Sequence, residues 1–249
     1  MVTDDSPWER HARWWQEGFT EGADREYEEQ ILPLVDAQLA GSGTVLEVGC
    51  GEGQVARRAA ALGAEVVGVD PSSAQVTEAY RRGGGPCYVR AGGERLPFPG
   101  DCFDAVVVSL VIEHVEPFEP VLAEIARVLV PGGRLVLFVG HPIAQAPGSS
   151  WVDDADFGDQ YWRLGPYLPD HLAVEEVAPG VELPFFHRPL GRYVHELGRV
   201  GLLVEDLIEP PPPSDTLAQL AGFREAATIP RLLCLRAVRA GALRRPGGS

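Results

Sequence analysis

TVLEVGCGEGQ, residues 44–54, runs straight into VARRAAALG at 55–63. A β-branched run that breaks into glycine at 49, 51 and 53 and then opens into an alanine-rich segment with helical periodicity reads as strand, turn and helix. Glycine at alternate positions lets the backbone turn sharply and approach a ligand closely, so this turn is a candidate cradle. The next β-branched run, AEVVGVD at 64–70, closes on Asp70. That is about 20 residues after the turn, the spacing at which a carboxylate accepts hydrogen bonds from ribose hydroxyls. Asp70 also precedes Pro71, a common helix start, so an N-cap role is compatible with the first reading.

Outward from this unit, short apolar runs alternate with helical patterns. CYVRA (87–91), FDAVVVSL (103–110) and GRLVLFVG (133–140) read as further strands, with SSAQVTEAYRRG and EPVLAEIARVLVPGG between them as helices. This is the signature of a parallel sheet covered on both faces. Upstream, PWERHARWWQEGF and ADREYEEQILPLVDAQLAG read as two amphipathic helices joined at Gly18–Gly22. Downstream, residues 141–188 are a long excursion with weak periodicity, followed by a helix (PLGRYVHELGRVG), a strand (LLVEDLIEP), the loop PPPP, a helical DTLAQLAGFREA and a last strand in IPRLLCLRAVR. PGGS reads as a frayed tail.

The 249 residues bound the chain to one or two domains, with 45% hydrophobic and 23% charged residues. A formal charge of −15 disfavours nucleic acid as a partner, although RAVRAGALRR is a local basic run. All 21 basic residues are arginine. Without lysine there is no Schiff-base nucleophile and no Walker lysine, which excludes pyridoxal chemistry and P-loop phosphoryl transfer. Cys50, Cys87, Cys102 and Cys234 form no CxxC pair, which argues against a zinc ribbon or a disulfide framework. No apolar stretch approaches the ~20 residues of a membrane span, and the N-terminus lacks the order of a secretory signal, so the expected location is cytoplasmic with no membrane partner.

The turn also discriminates between ligands. Gln54 stands where a dinucleotide fingerprint has its third glycine, and Glu47 and Glu52 put two acids at the turn with no base before Arg57. That is a poor seat for a pyrophosphate and a good one for a ligand carrying positive charge.

VLEVGCGEGQ with VVGVD after it, then LPFPGDCFDAVVVSLVIEHV and VLVPGGRLVL, resembles the class I S-adenosylmethionine-dependent methyltransferases, in particular the small-molecule, UbiE-like (methyltransferase type 11) group. The resemblance is dense over residues 44 to 140 and looser in the flanks. It implies an α/β fold: a Rossmann-like, seven-stranded, mostly parallel sheet with helices on both faces, LLVEDLI as sixth strand and LLCLRAV as an antiparallel seventh. Residues 1–40 would form an N-terminal helical lid, and 41–249 the methyltransferase domain with a substrate-facing insertion at 141–188. The implied cofactor is S-adenosylmethionine, with Tyr27, Glu47, Gly49, Cys50, Gly51, Asp70, Pro71, Gly92, Gly93, Glu94 and Ser109 around it. One departure stands out: the family's usual Asp for the adenine amino group is replaced by Gly92, with Glu94 as a substitute.

Methyl transfer from a sulfonium needs alignment and exclusion of water, and a base only when the acceptor is protonated. His141 and His187 rank equally as base candidates, ahead of His114. Trp14, Trp151, Tyr161, Trp162 and Arg188 are the expected substrate contacts, the excursion's rings being suited to an apolar or aromatic acceptor. For any single ring, packing of the excursion against the core is the stronger reading. Asp153, Asp154 and Asp156 read as a solvated acidic loop, with no metal. The expected function is methyl transfer to a small molecule, oxygen favoured over nitrogen, in a composition that suits bacterial secondary metabolism. Alternatives are a cyclase built on the same pocket, an NAD-dependent oxidoreductase and a non-enzymatic adenosine-binding regulator. The oligomeric expectation is monomer or homodimer.

Overall fold

The computed structural model describes residues 6–154, 159–223 and 225–241; Asp156, Phe157, the tail PGGS and the last four residues of the basic run lie outside them. The N-terminal segment PWERHARWWQEGF is two short helices rather than one, α1 (Pro7–Arg10) and α2 (Ala12–Gly18), broken at His11. A π turn over Tyr27–Ile31 then leads into α3 (Leu32–Leu39). Pro33 accounts for the wide turn, because it supplies no N–H and its ring crowds the carbonyl four residues earlier.

The sheet is built from β1 (Thr44–Val48), β2 (Glu65–Asp70), β3 (Cys87–Arg90), β4 (Phe103–Ser109) and β5 (Leu129–Gly140), linked by α4 (Gln54–Ala61), α5 (Ser73–Arg82) and α6 (Glu119–Val128). After β5 come α7 (Pro142–Gln145), β6 (Ser150–Asp154), β7 (Asp159–Arg163), β8 (His171–Ala178), β9 (Val181–His187), α8 (Leu190–Arg199), β10 (Leu202–Ile208), α9 (Ser214–Gln219) and β11 (Leu232–Arg239). The seven-stranded order is β10-β11-β5-β4-β1-β2-β3, with β11 antiparallel to both β5 and β10 and the other pairs parallel. This is the expected α/β class.

Side-chain alternation along each strand divides the core. Leu46, Val48, Val106, Val108, Leu135 and Leu137 pack with Leu122 and Ile125 of α6 and Leu197 of α8 on one face. Val45, Ala105, Val107, Val136 and Phe138 pack with Val35 and Leu39 of α3 and Val55 and Ala59 of α4 on the other. Crossovers run in opposite directions from β1, to β2 on one side and β4 on the other, so the carboxyl ends of β1 and β4 form the switch point where such sheets open a crevice.

The excursion is not irregular. It folds into two antiparallel hairpins, β6-β7 and β8-β9, each a separate two-stranded sheet. No helix of the described residues is long and apolar enough to cross a membrane.

Candidate active site

β1 delivers the chain into a turn that requires glycine. Gly49, Gly51 and Gly53 take φ of 74°, 52° and 87°. A Cβ on Gly49 would collide with Val111, and one on Gly53 with the Tyr88 phenol. The Gly49 and Cys50 N–H groups donate to Val69 O at 2.8 and 2.9 Å. Asp70 completes the stitch: its Oδ2 accepts from Gly51 N at 2.9 Å and its Oδ1 from Ser72 N at 2.8 Å. Burial raises Asp70 to about 6 against the pull of those two donors. The N-cap of α5 is Ser72, whose hydroxyl accepts from Gln75 N at 3.2 Å, so the capping role read for Asp70 belongs to its neighbour.

Over this turn lies a cavity of about 670 Å³. It is walled by the glycine turn, Asp70 and Pro71 at the end of β2, Gly92, Gly93 and Glu94 after β3, and Ser109, Leu110, Val111, His114, Val115 and Glu116 at the end of β4. Trp8, Trp15, Thr20 and Tyr27 close it from the N-terminal segment. Tyr27, Glu47, Gly49, Cys50, Gly51, Asp70, Pro71, Gly92, Gly93, Glu94 and Ser109 all line it. So does His114.

The cavity's polar chemistry is one-signed. Glu47, Glu52, Asp70, Glu94 and Glu116 line it, and no arginine does among the described residues. The two acids read together at the turn separate here. Glu52 is neutralised from behind by Arg57 at 2.6 Å and Arg82 at 2.8 Å. Among the described residues Glu47 has no cationic partner within ion-pair distance; burial lifts it well above the ordinary carboxylate range, opposed by a backbone hydrogen bond from Ala56. Its Oε2 is buried without a partner, as are Ser109 Oγ and Gln54 Nε2 on the same wall. An adenosine-type ligand with an amino group fits these atoms: two acceptors and one donor await partners, and a buried carboxylate favours a cation.

Other expected contacts lie elsewhere. His141 caps α7, its Nδ1 accepting from Ile143 N at 3.1 Å, and its Nε2 meets Glu209 at 2.8 Å. His187 Nε2 bonds Tyr167 O at 2.7 Å, behind the cavity wall. Neither lines the cavity. Trp151 and Trp162 are cross-strand partners on the β6-β7 hairpin with centroids 5.4 Å apart, and Trp151 packs on Phe223 at 5.1 Å. Tyr161 projects from that hairpin into solvent, 44% exposed. Trp14 packs on Phe19 at 4.8 Å, leaving Trp15 to face the cavity. Arg188 is buried beneath the loop after β4. None of these five substrate candidates lines the cavity.

The residue that composition underrated is His114, which ends a single 3-10 turn, Ile112–His114. Its Nδ1 lies 2.7 Å from Pro184 O. A carbonyl only accepts, so Nδ1 carries the proton and Nε2 is left as an acceptor. Trp8 and Phe185 press edge-on against the ring at 4.7 and 4.6 Å. Burial among them lowers the imidazole to about 4, so it is neutral at physiological pH. Trp8 carried no signal beyond its place in an amphipathic helix.

Residues 46–137 match the family model described as "Methyltransferase domain". These residues form a class I S-adenosylmethionine-dependent methyltransferase domain. The methyltransferase domain is similar to a demethylmenaquinone methyltransferase of Beutenbergia cavernae, 39% identical over 93 residues that cover 37% of this chain and 39% of that protein. It is also similar to a ubiquinone biosynthesis O-methyltransferase of Rhizobium rhizogenes, 38% identical over 95 residues, 36% of this chain and 38% of the relative. The chain thus spans about two fifths of the length of these curated relatives. A solved S-adenosylmethionine-dependent methyltransferase from Mesorhizobium loti matches more of the fold, at TM-score 0.72 and 28% identity over 87% of this chain and 98% of that one.

Proposed function

We propose that the chain binds S-adenosylmethionine in the 670 Å³ cavity and transfers its methyl group to a small molecule, with oxygen favoured over nitrogen as the acceptor atom. The observation that carries the reading is the glycine turn beneath a wall of carboxylates with no arginine among its described lining residues. Such a wall repels pyrophosphate and attracts a cationic amino-acid end, which disfavours a dinucleotide. Glu47 and Ser109 would hold the amino group, and Asp70, with lone pairs left after its two backbone bonds, the ribose. Gly92 and Gly93 leave backbone groups for the adenine.

When bound, the cofactor supplies an activated methyl group on a sulfonium. The chain's own contribution is alignment, exclusion of water and a place for a proton. Residues 1–40 would act as the lid, with Trp8, Trp15 and Tyr27 on its inner side. His114 Nε2 would accept the proton of a hydroxyl as its oxygen takes the methyl group. An uncharged or cationic acceptor suits the same acidic wall better than a carboxylate or phosphate. The quinone-ring chemistry named for the relatives makes a hydroxylated ring a first choice of test substrate, and a bacterial secondary-metabolic role is compatible with it.

The test is formation of S-adenosylhomocysteine in the presence of hydroxylated aromatic compounds. Acceptor-dependent product is expected, and its loss in His114→Ala with cofactor affinity retained would assign the proton acceptor. Cofactor binding without turnover on any acceptor would point instead to the cyclase or regulator alternative.

A further inference from the structure

The 3-10 turn Ile112–His114 is closed at its C-terminus by one backbone bond, from Val115 N to Ile112 O at 3.2 Å, and Arg188 adds side-chain donors to it. Its Nη1 donates to Ile112 O at 2.9 Å, and its Nη2 to Val115 O at 2.6 Å and to Glu116 Oε2 at 2.9 Å. The guanidinium is buried, 3% exposed, between Phe118 at 4.3 Å and Phe186 at 5.3 Å from the ring centroids. Burying a cation is costly unless every donor direction is answered, and only the planar fork of arginine reaches two carbonyls and a carboxylate at once.

The same stretch of chain grips the ring itself. Pro184 and Phe185, in the strand that ends just before Arg188, hold His114 by hydrogen bond and by edge contact. The charged groups nearby are otherwise engaged. Glu113 Oε1 accepts from Gly140 N, Glu116 pairs with Arg188, and Glu9 of α1 accepts from Ala74 N. Among the described residues no carboxylate meets Nδ1, so ring orientation rests on the backbone geometry that Arg188 fixes.

We propose that Arg188 is a positioning residue: by clamping Ile112 and Val115 it keeps His114 against Pro184, so that an unprotonated Nε2 faces the cavity. The role assigned to that nitrogen rests on the methyl-transfer reading, but the test does not require turnover. Long-range ¹H–¹⁵N spectra of the imidazoles are recorded against pH for the wild type, Arg188→Lys, Arg188→Met and the control Arg192→Gln. Arg192 lies in α8 and shares the Phe118 ring, at 5.5 Å, but pairs with Glu119, Asp170 and Glu196 rather than with the turn.

The wild type and Arg192→Gln should show His114 protonated at Nδ1 alone, with no titration above about pH 5. Arg188→Met should populate both tautomers and move the midpoint up by at least one pH unit, and Arg188→Lys should lie between. If Arg188→Met does not fold, the lysine variant carries the comparison. Tautomer and titration unchanged in folded Arg188 variants would overturn the proposal. Titrating the wild type with S-adenosylmethionine keeps the two readings apart: an ordered His114 in a protein that ignores the cofactor would sink the function and leave the clamp.

Discussion

Residues 45–54 and residues 141–188 both carry sequence signals for ligand contact, and the structure puts them to different uses. The first supplies Glu47, Gly49, Cys50 and Gly51 to the cavity wall. The second folds into two hairpins, and none of its described residues lines that cavity. In the turn, the signal is a property of the backbone: only glycine takes those dihedrals and clears Val111 and Tyr88. In the excursion, the signal is only composition. Aromatic rings bury wherever a surface receives them, and here Trp151 found Trp162 and Phe223. The hairpins serve the site from behind, through Pro184, Phe185 and, where the second hairpin ends, Arg188.

The sharpest blow to the turn is Gly49→Ala. Left-handed strain and the collision with Val111 should together cost about 3 kcal/mol in denaturant unfolding and abolish cofactor binding. A stable variant with wild-type affinity would mean that the glycine spacing is incidental.

Asp70→Ala comes next. It leaves the buried Gly51 and Ser72 N–H groups without their acceptor, at a cost of about 2 kcal/mol in stability, and should weaken S-adenosylmethionine by about 1–3 kcal/mol in calorimetry. Loss of stability with unchanged affinity would reduce Asp70 to a stitch between β2 and the turn.

Glu113 lies on the seam between the two regions, bonded to Gly140 at 3.1 Å, and burial raises it from 4.5 to about 7. The folded chain therefore keeps a proton that the unfolded chain gives up, so stability falls as pH rises through that window. Glu113→Gln should gain on the wild type by about 1–3 kcal/mol between pH 5 and pH 8, measured by urea unfolding at each pH. A pH-independent difference would show that the carboxyl is ionised throughout.

The smallest effect belongs to the excursion. Tyr161→Ala, at an exposed hairpin position, should change stability by less than about 0.5 kcal/mol and leave cofactor affinity within twofold. A tenfold change would bring that hairpin into the site and erase the contrast.

The same distinction explains what could be read in advance. The strands around the turn were legible because β-branched runs, glycine breaks and helical periodicity are local. β5 begins at Leu129, earlier than its apolar run suggested, because VLVPGG pairs against Phe103 through an irregular register that no local pattern reveals. The cavity's cofactor side followed from strand ends, whose direction the sheet dictates. His114 ranked below His141 and His187 because its partners are remote: Pro184 lies 70 residues away, and the arginine that holds its turn donates to Ile112 from 76 residues away. His141 and His187 are equally polar in sequence, yet His141 spends both nitrogens on Ile143 and Glu209, and His187 spends Nε2 on Tyr167 outside the cavity. Glu52 looked like half of a cationic seat until folding brought Arg82 beside it.

The central claim is that this acidic, glycine-built cavity holds a sulfonium nucleoside and rejects a pyrophosphate. Parallel calorimetric titrations of the full chain with S-adenosylmethionine and with NAD test it most directly. The account predicts saturable one-to-one binding of S-adenosylmethionine that tightens as pH rises and Glu47 ionises, with no heat from NAD. Binding of NAD, or silence with S-adenosylmethionine, would contradict it.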